Sequence, residues 1–163
     1  VRQRMGFLQS YVRHGGCHGE ARLKEQPLPL KAIEVENPAQ ATAAINAAVA
    51  LGCPLMLIST ENAATFAGPG WFSHLVKNAM VPFQDCDVVA MLDCGDSPGH
   101  ALAALREGLR AIRFNGPTFH KIADIAKQHD ALLYEIRPLC LALSRVRQDD
   151  NSLNTACRDW LKD

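Results

Sequence analysis

Short apolar runs alternate with amphipathic stretches along most of this chain. Leu55-Met56-Leu57-Ile58 and Val88-Val89-Ala90-Met91-Leu92 are uninterrupted and strand-sized, the pattern of strands covered on both faces. The wider pattern predicts strand 31–36, helix 38–51, strand 54–59, a short helical turn 61–67 and helix 70–79. It continues with strand 87–93, helix 98–107, strand 110–115, helix 117–128 and strand 131–137. Gly52-Cys53-Pro54 and Gly108 fall where helices should stop, because glycine accepts the left-handed position after a helix and proline cannot extend one. Strands alternating with helices imply a parallel sheet joined by right-handed crossovers. The expected fold class is therefore α/β, with about five parallel strands and flanking helices.

The pattern weakens at both ends. Residues 1–30 form a basic N-terminal arm carrying Arg2, Arg4, Arg13, Arg22 and Lys24, closed off by Pro27-Leu28-Pro29. His14, Cys17 and His18 lie in this arm among glycines, with no evident fourth ligand and no fixed geometry, so a loose loop is the reading there. Residues 31–143 are the α/β domain. Residues 144–163 are a charged linker and a C-terminal amphipathic helix, 152–162, with Leu153, Ala156, Cys157, Trp160 and Leu161 on one side. Trp160 is expected to dock, on its own chain or on a partner.

Composition narrows the classes. The chain has 163 residues, 48% of them hydrophobic, enough for one ordinary core, and 17 basic residues balance 17 acidic ones. A net charge of zero without a basic stripe argues against nucleic acid as a partner. No run approaches the roughly 20 apolar residues of a membrane span, and the arm lacks the apolar stretch of a signal peptide. No membrane association is expected. Six cysteines without a CxxC pair, in a chain this hydrophobic, point to reduced thiols and a cytoplasmic location. Apart from Cys94, they read as small buried hydrophobes.

In a parallel sheet every strand C-terminus lies on one edge, so Asn37, Ser59, Asp93, Cys94, Asn115 and Glu135 should converge. Two readings stand for Asp93: a proton shuttle beside a carbonyl substrate, or a cap for the following turn, where Asp96 and Ser97 already look like caps. Ser59 and Asn115 would hydrogen-bond substrate oxygens. Cys94 would serve as a nucleophile or, as thiolate, hold a soft metal with Glu135, His100 or His120 completing the set. His74, His120 and His129 read as structural. Gly68-Pro69-Gly70 and Gly116-Pro117-Thr118 open helices where a phosphate would sit, and serve equally as loop punctuation.

Several short motifs, in order, carry a family resemblance. Ala32-Ile33-Glu34-Val35-Glu36-Asn37 followed by Gln40, Ser59 followed by Ala63 and Phe66-Ala67-Gly68, Leu92-Asp93-Cys94-Gly95, and Ala104 to Gly116 together resemble the N-terminal half of the class II (metal-dependent) fructose-bisphosphate and tagatose-bisphosphate aldolases, which are (β/α)8 barrels. The resemblance implies half a barrel or an open three-layer sandwich. It implies that Asp93 is the catalytic acid/base, that Cys94 stands where the family has a zinc-binding histidine, and that Glu135 lies close to the metal site. Two departures bear on chemistry: the histidine is Cys94, and the family's Asp-Gly-Ser is Asn115-Gly116-Pro117. The two other zinc histidines and the phosphate-binding glycine loops belong to the second half of the barrel, which these residues do not reach.

The functional expectation is an aldolase-like protein binding a small carbonyl or phosphorylated metabolite at the strand C-termini, with zinc as the candidate cofactor and full bisphosphate aldolase activity unexpected. The alternative is a noncatalytic oligomeric scaffold or interaction protein derived from half a barrel. About five strands cannot close an eight-stranded barrel, and unpaired edges invite a homodimer.

Overall fold

The computed structural model describes residues 30–83 and 86–162. Residues 1–29 of the basic arm, with His14, Cys17 and His18, lie outside the described residues. In chain order the elements are β1 Ala32–Glu34, α1 Pro38–Leu51, β2 Leu55–Ile58, α2 Ala63–Phe66, α3 Pro69–Met80, β3 Val88–Asp93 and α4 Pro98–Arg106. There follow β4 Ala111–Arg113, α5 Phe119–Gln128, β5 Leu132–Tyr134, β6 Cys140–Ala142, a 3-10 turn at Leu143–Arg145, and α6 Asp150–Lys162.

α1 begins where side chains satisfy its first amides. Asn37 is extended, at φ −147° and ψ 165°, and its Oδ1 accepts from Gln40 N at 3.0 Å while Pro38 fills the first turn. Gln40 Oε1 returns to accept from Glu36 N at 2.8 Å. This reciprocal pair satisfies donors that the helix leaves free. Gly52, at φ 61°, ends the helix as expected, sending its N–H back to Val49 O.

The six strands form one sheet in the order β5-β4-β3-β2-β1-β6, every pair parallel. The expected strand 131–137 ends at Tyr134, where the chain bends, and a further strand, β6, pairs with the far side of β1. Three residues after a proline gave β6 no period to read.

Side chains on the two faces separate cleanly. Ile33, Leu55, Leu57, Leu92, Ile112 and Phe114 form one cluster with the buried residues of all six helices. The other face holds Ala32, Met56, Ile58, Met91 and Ala111, packed with Leu30, Val89, Leu132, Tyr134 and Cys140 and with no helical residue. The α/β class and the parallel sheet flanked by helices are as expected, and among the described residues the helices gather on one face with strand side chains on the other, as in a partial barrel. Each fully buried Leu or Ile contributes about 1.5–3 kcal/mol.

The C-terminal helix belongs to this layer. α6 packs mainly on α1, with Leu153 and Cys157 buried, and the Trp160 carbonyl accepts from Lys31 Nζ at 3.0 Å. Trp160 thus docks on its own chain, packed against the helix-side core. Among the described residues no helix is long and apolar enough to cross a membrane.

Candidate functional site

Strand alternation places charged side chains on the barrel face at the strand C-terminal end. Asp93 is paired with Arg113, and Arg113 with Tyr134, while Glu34 is paired with Ile58 at the level of Met91, two residues lower. Glu34, Asp93 and Arg113 therefore share the face of Met56, Met91 and Ala111. Arg137 joins them from the segment between β5 and β6.

Asp93 is fully buried and both of its oxygens are engaged. Oδ1 accepts from Gly95 N at 3.0 Å and from Arg113 Nη1 at 3.3 Å, and Oδ2 accepts from Arg137 Nη1 at 2.9 Å. Arg137 Nη2 donates to Ser59 O at 2.6 Å and also to Glu34 Oε2. One guanidinium thus ties β1, β2 and β3 together. Two carboxylates and two guanidiniums balance in charge, which lets the group stay out of water: a buried ion is tolerated when it is paired and hydrogen-bonded.

The flanking residues hold Asp93 in place. Ser59, fully buried, accepts from Asp93 N at 3.0 Å through Oγ and donates to Thr60 O at 3.0 Å. Asn115 N donates to Gly95 O at 2.9 Å. With its amide turned so that the NH2 meets Gly95 O at 2.8 Å, the Asn115 oxygen accepts from Arg113 Nη2 at 3.0 Å. Gly95 sits at φ 57°, and a Cβ there would run into Asn62 Oδ1. The turn after β3 requires glycine for both reasons.

Of the residues expected to converge, Ser59, Asp93 and Asn115 do so. Asn37 spends its side-chain oxygen on capping α1. Cys94 departs furthest from expectation: one residue past Asp93 it points to the opposite face, buried in the helix-side core, with Sγ 3.8 Å from Leu92 O. Burial, then the neighbouring Asp93 charge, pushes its thiol up to about 12, so thiolate is scarce near neutrality. Glu135 is exposed beyond the end of β5. His100 is half-buried in the first turn of α4, its backbone N–H donating to the Ser97 cap at 3.4 Å and its Nδ1 buried without a partner.

This donor set does not fit a zinc ion. Zinc needs three protein ligands converging on one point, and among the described residues no three His, Cys, Asp or Glu side chains are grouped to hold a metal. Cys94, Glu135 and His100 sit on different faces and elements. The departure follows from the period-2 alternation of a strand, under which adjacent Asp93 and Cys94 cannot both face the barrel interior.

Arg113, Arg137 and Glu34 were not among the expected site residues. Arg113 and Glu34 carried a signal: each is a lone charge inside a three-residue strand of apolar neighbours, on the face that Asp93 also uses. Arg137 carried none, since it lies in a connection whose path the sequence does not reveal. A depression of about 260 Å3 lies at the opposite end of the strands, among Val76, Val88, Leu109 and Arg110, and does not reach Asp93.

No family model matches the chain. Over 87 residues, 53% of the chain, it is 30% identical to a fructose-bisphosphate aldolase of Xanthobacter flavus, covering 25% of that protein. The same length is 26% identical to a class 2 fructose-bisphosphate aldolase of Synechocystis and 25% identical to a fructose-bisphosphate aldolase of Nostoc commune, covering 24% of each. The match thus spans about a quarter of the length of these curated relatives. Together with the parallel α/β sheet, it fits an aldolase-like protein.

Proposed function

We propose that this chain binds a small carbonyl or phosphorylated metabolite at the C-terminal ends of its strands, as an aldolase-like protein. The observation that carries this reading is the meeting of Arg113 and Arg137 on Asp93, beside Ser59 and Asn115. A phosphate or carboxylate offers two oxygens to the two Arg137 nitrogens that are now divided between Asp93 and Glu34. Binding then proceeds by exchange: Arg137 turns to the ligand oxyanion and frees Asp93 Oδ2. A carboxylate so released, held by Gly95 N and Arg113, stands ready to take a proton next to a carbonyl. Asn115, the one exposed member of the group, offers its amide to a ligand oxygen. Cleavage of a bisphosphate is not part of this reading, because the donor set does not fit the metal that the class II resemblance implies.

The test is a calorimetric titration of dihydroxyacetone phosphate into reduced, tag-free protein. Saturable binding in the millimolar range or tighter is expected, weakened at least tenfold in Arg137→Lys, which keeps the charge and loses the fork. No saturable heat at 10-fold excess over about 1 mM would remove the ligand-binding reading.

A second reading is favoured by a different observation. Ile136 and Leu139 are 81% and 84% exposed in the connection between β5 and β6, the two edge strands of the sheet among the described residues. Edges flanked by exposed apolar side chains suit association of two copies into a noncatalytic assembly. Sedimentation velocity at micromolar concentration is expected to show a dimer that dissociates in Ile136→Asp/Leu139→Asp. A monomer throughout counts against this reading and leaves the first intact.

A further inference from the structure

We propose that Cys53 and Cys86 form a thiol pair that a peroxide closes into a disulfide across the starts of β2 and β3. The parallel register pairs Leu55 with Val88 and Met56 with Val89. The Leu55–Val88 step is closed by Leu55 N donating to Asp87 O at 2.9 Å, and just before it Val88 N turns back to Cys86 O at 3.1 Å. Counting back two residues from Leu55 and from Val88 reaches Cys53 and Cys86. At the Leu55–Val88 step the strands lie about 4.8 Å apart, so the two cysteines leave neighbouring strand starts, and a disulfide spans a Cα separation of roughly 4.4–6.8 Å.

Side-chain placement agrees with the register. Both residues pack, half-buried, against the same helix-side cluster, so their side chains share one face of the sheet. Cys86 is held up by burial, then by the charge of Asp87, then by that of Cys53, so the two sulfurs lie within electrostatic reach. Cys53 Sγ is tied only by a 3.9 Å contact to Ala48 O. The remaining described cysteines are placed otherwise. Cys94 and Cys157 are fully buried, and Cys140 packs with the cluster on the opposite face.

The chemistry balances with hydrogen peroxide as the oxidant. One thiolate attacks a peroxide oxygen and breaks the O–O bond, giving a sulfenic acid and, after protonation, one water. The second sulfur displaces the sulfenic hydroxyl, forming the S–S bond and releasing a second water. Two thiols lose two protons and two electrons, and one peroxide becomes two waters. Burial keeps both groups largely as thiols near neutrality, so the first step is slow. The second is fast because the partner is already beside it. A dithiol reductant reverses the bridge.

The experiment is peroxide treatment of the intact folded protein, alkylation of free thiols under denaturing conditions, and peptide mapping without reduction. The expected result is a fall from six alkylated cysteines to four, with the Cys53–Cys86 linkage at least tenfold above any other pair and lost on reduction. Cys53→Ser and Cys86→Ser should each abolish the linkage and retain the wild-type circular dichroism spectrum. Wild-type mapping stands by itself should either variant misfold. Accumulation of sulfinic acid on Cys53 or Cys86 without linkage, or thiol loss spread over unrelated pairs, overturns the proposal.

Discussion

Arg137→Ala is expected to destabilise the protein by about 3–5 kcal/mol, the usual cost of leaving one partner of a buried ion pair uncompensated. The arginine serves three acceptors at once, Asp93 Oδ2, Ser59 O and Glu34 Oε2, and its side chain is only 20% exposed. Arg113, 3.3 Å from the other Asp93 oxygen, cannot reach all three. Urea unfolding at neutral pH measures the loss as a lower midpoint at unchanged slope. Replacing one charge of each sign, in Glu34→Gln/Arg137→Met, should recover part of it, since the Asp93–Arg113 pair stays balanced and neutral groups of similar size escape the desolvation penalty. A loss below about 1 kcal/mol would mean that water already solvates the cluster, as at an exposed ion pair. Asp93 would then be open to small molecules without any exchange.

Phe114→Ala should cost a similar amount, about 3–5 kcal/mol, by another mechanism. The ring is fully buried directly after β4 in the helix-side core, and alanine leaves a cavity that the surrounding strands and helices cannot fill. It also occupies the space beside Gly116: a Cβ at Gly116 would lie 2.6 Å from Phe114 Cζ and from Asp96 O. The turns after β3 and β4 are thus fitted around one aromatic ring. Thermal unfolding should fall by about 10 °C, taking roughly 2–4 °C per kcal/mol for a chain of this size. A change under about 3 °C would mean that the turns collapse into the vacated space.

Much of this architecture was legible because it is periodic. The apolar runs at 55–58 and 88–92 and the amphipathic stretches at 38–51, 98–107 and 117–128 each became the element they implied, and Gly52 and Asn37 ended and began α1 where expected. β6 was not legible, because three residues between Leu139 and Leu143 carry no helical or strand period that distinguishes them from a loop. The site divided along the same line. Ser59, Asp93 and Asn115 follow directly from strand ends, whereas Cys94 required attention to which face a strand presents at each step. Arg137 required knowledge of the tertiary path. Its side chain acts 44 residues away from Asp93 and 103 from Glu34, beyond any local pattern.

The pairing of β6 with β1, and the seating of α6 on α1, also govern the order in which this protein can assemble. Gln40 in the first turn of α1 meets Gln148, 108 positions further along the chain, whereas β1 to β4 each join the next strand in sequence across one or two helices. Contacts so distant in sequence form late, because a long loop must close before they are rewarded. On a ribosome, the outer surface of α1 would stay bare until residues 150–162 had emerged. The nascent sheet would meanwhile present β1 as an open edge, and the interval before the last helix arrives is when this chain is most exposed to pairing with a neighbour.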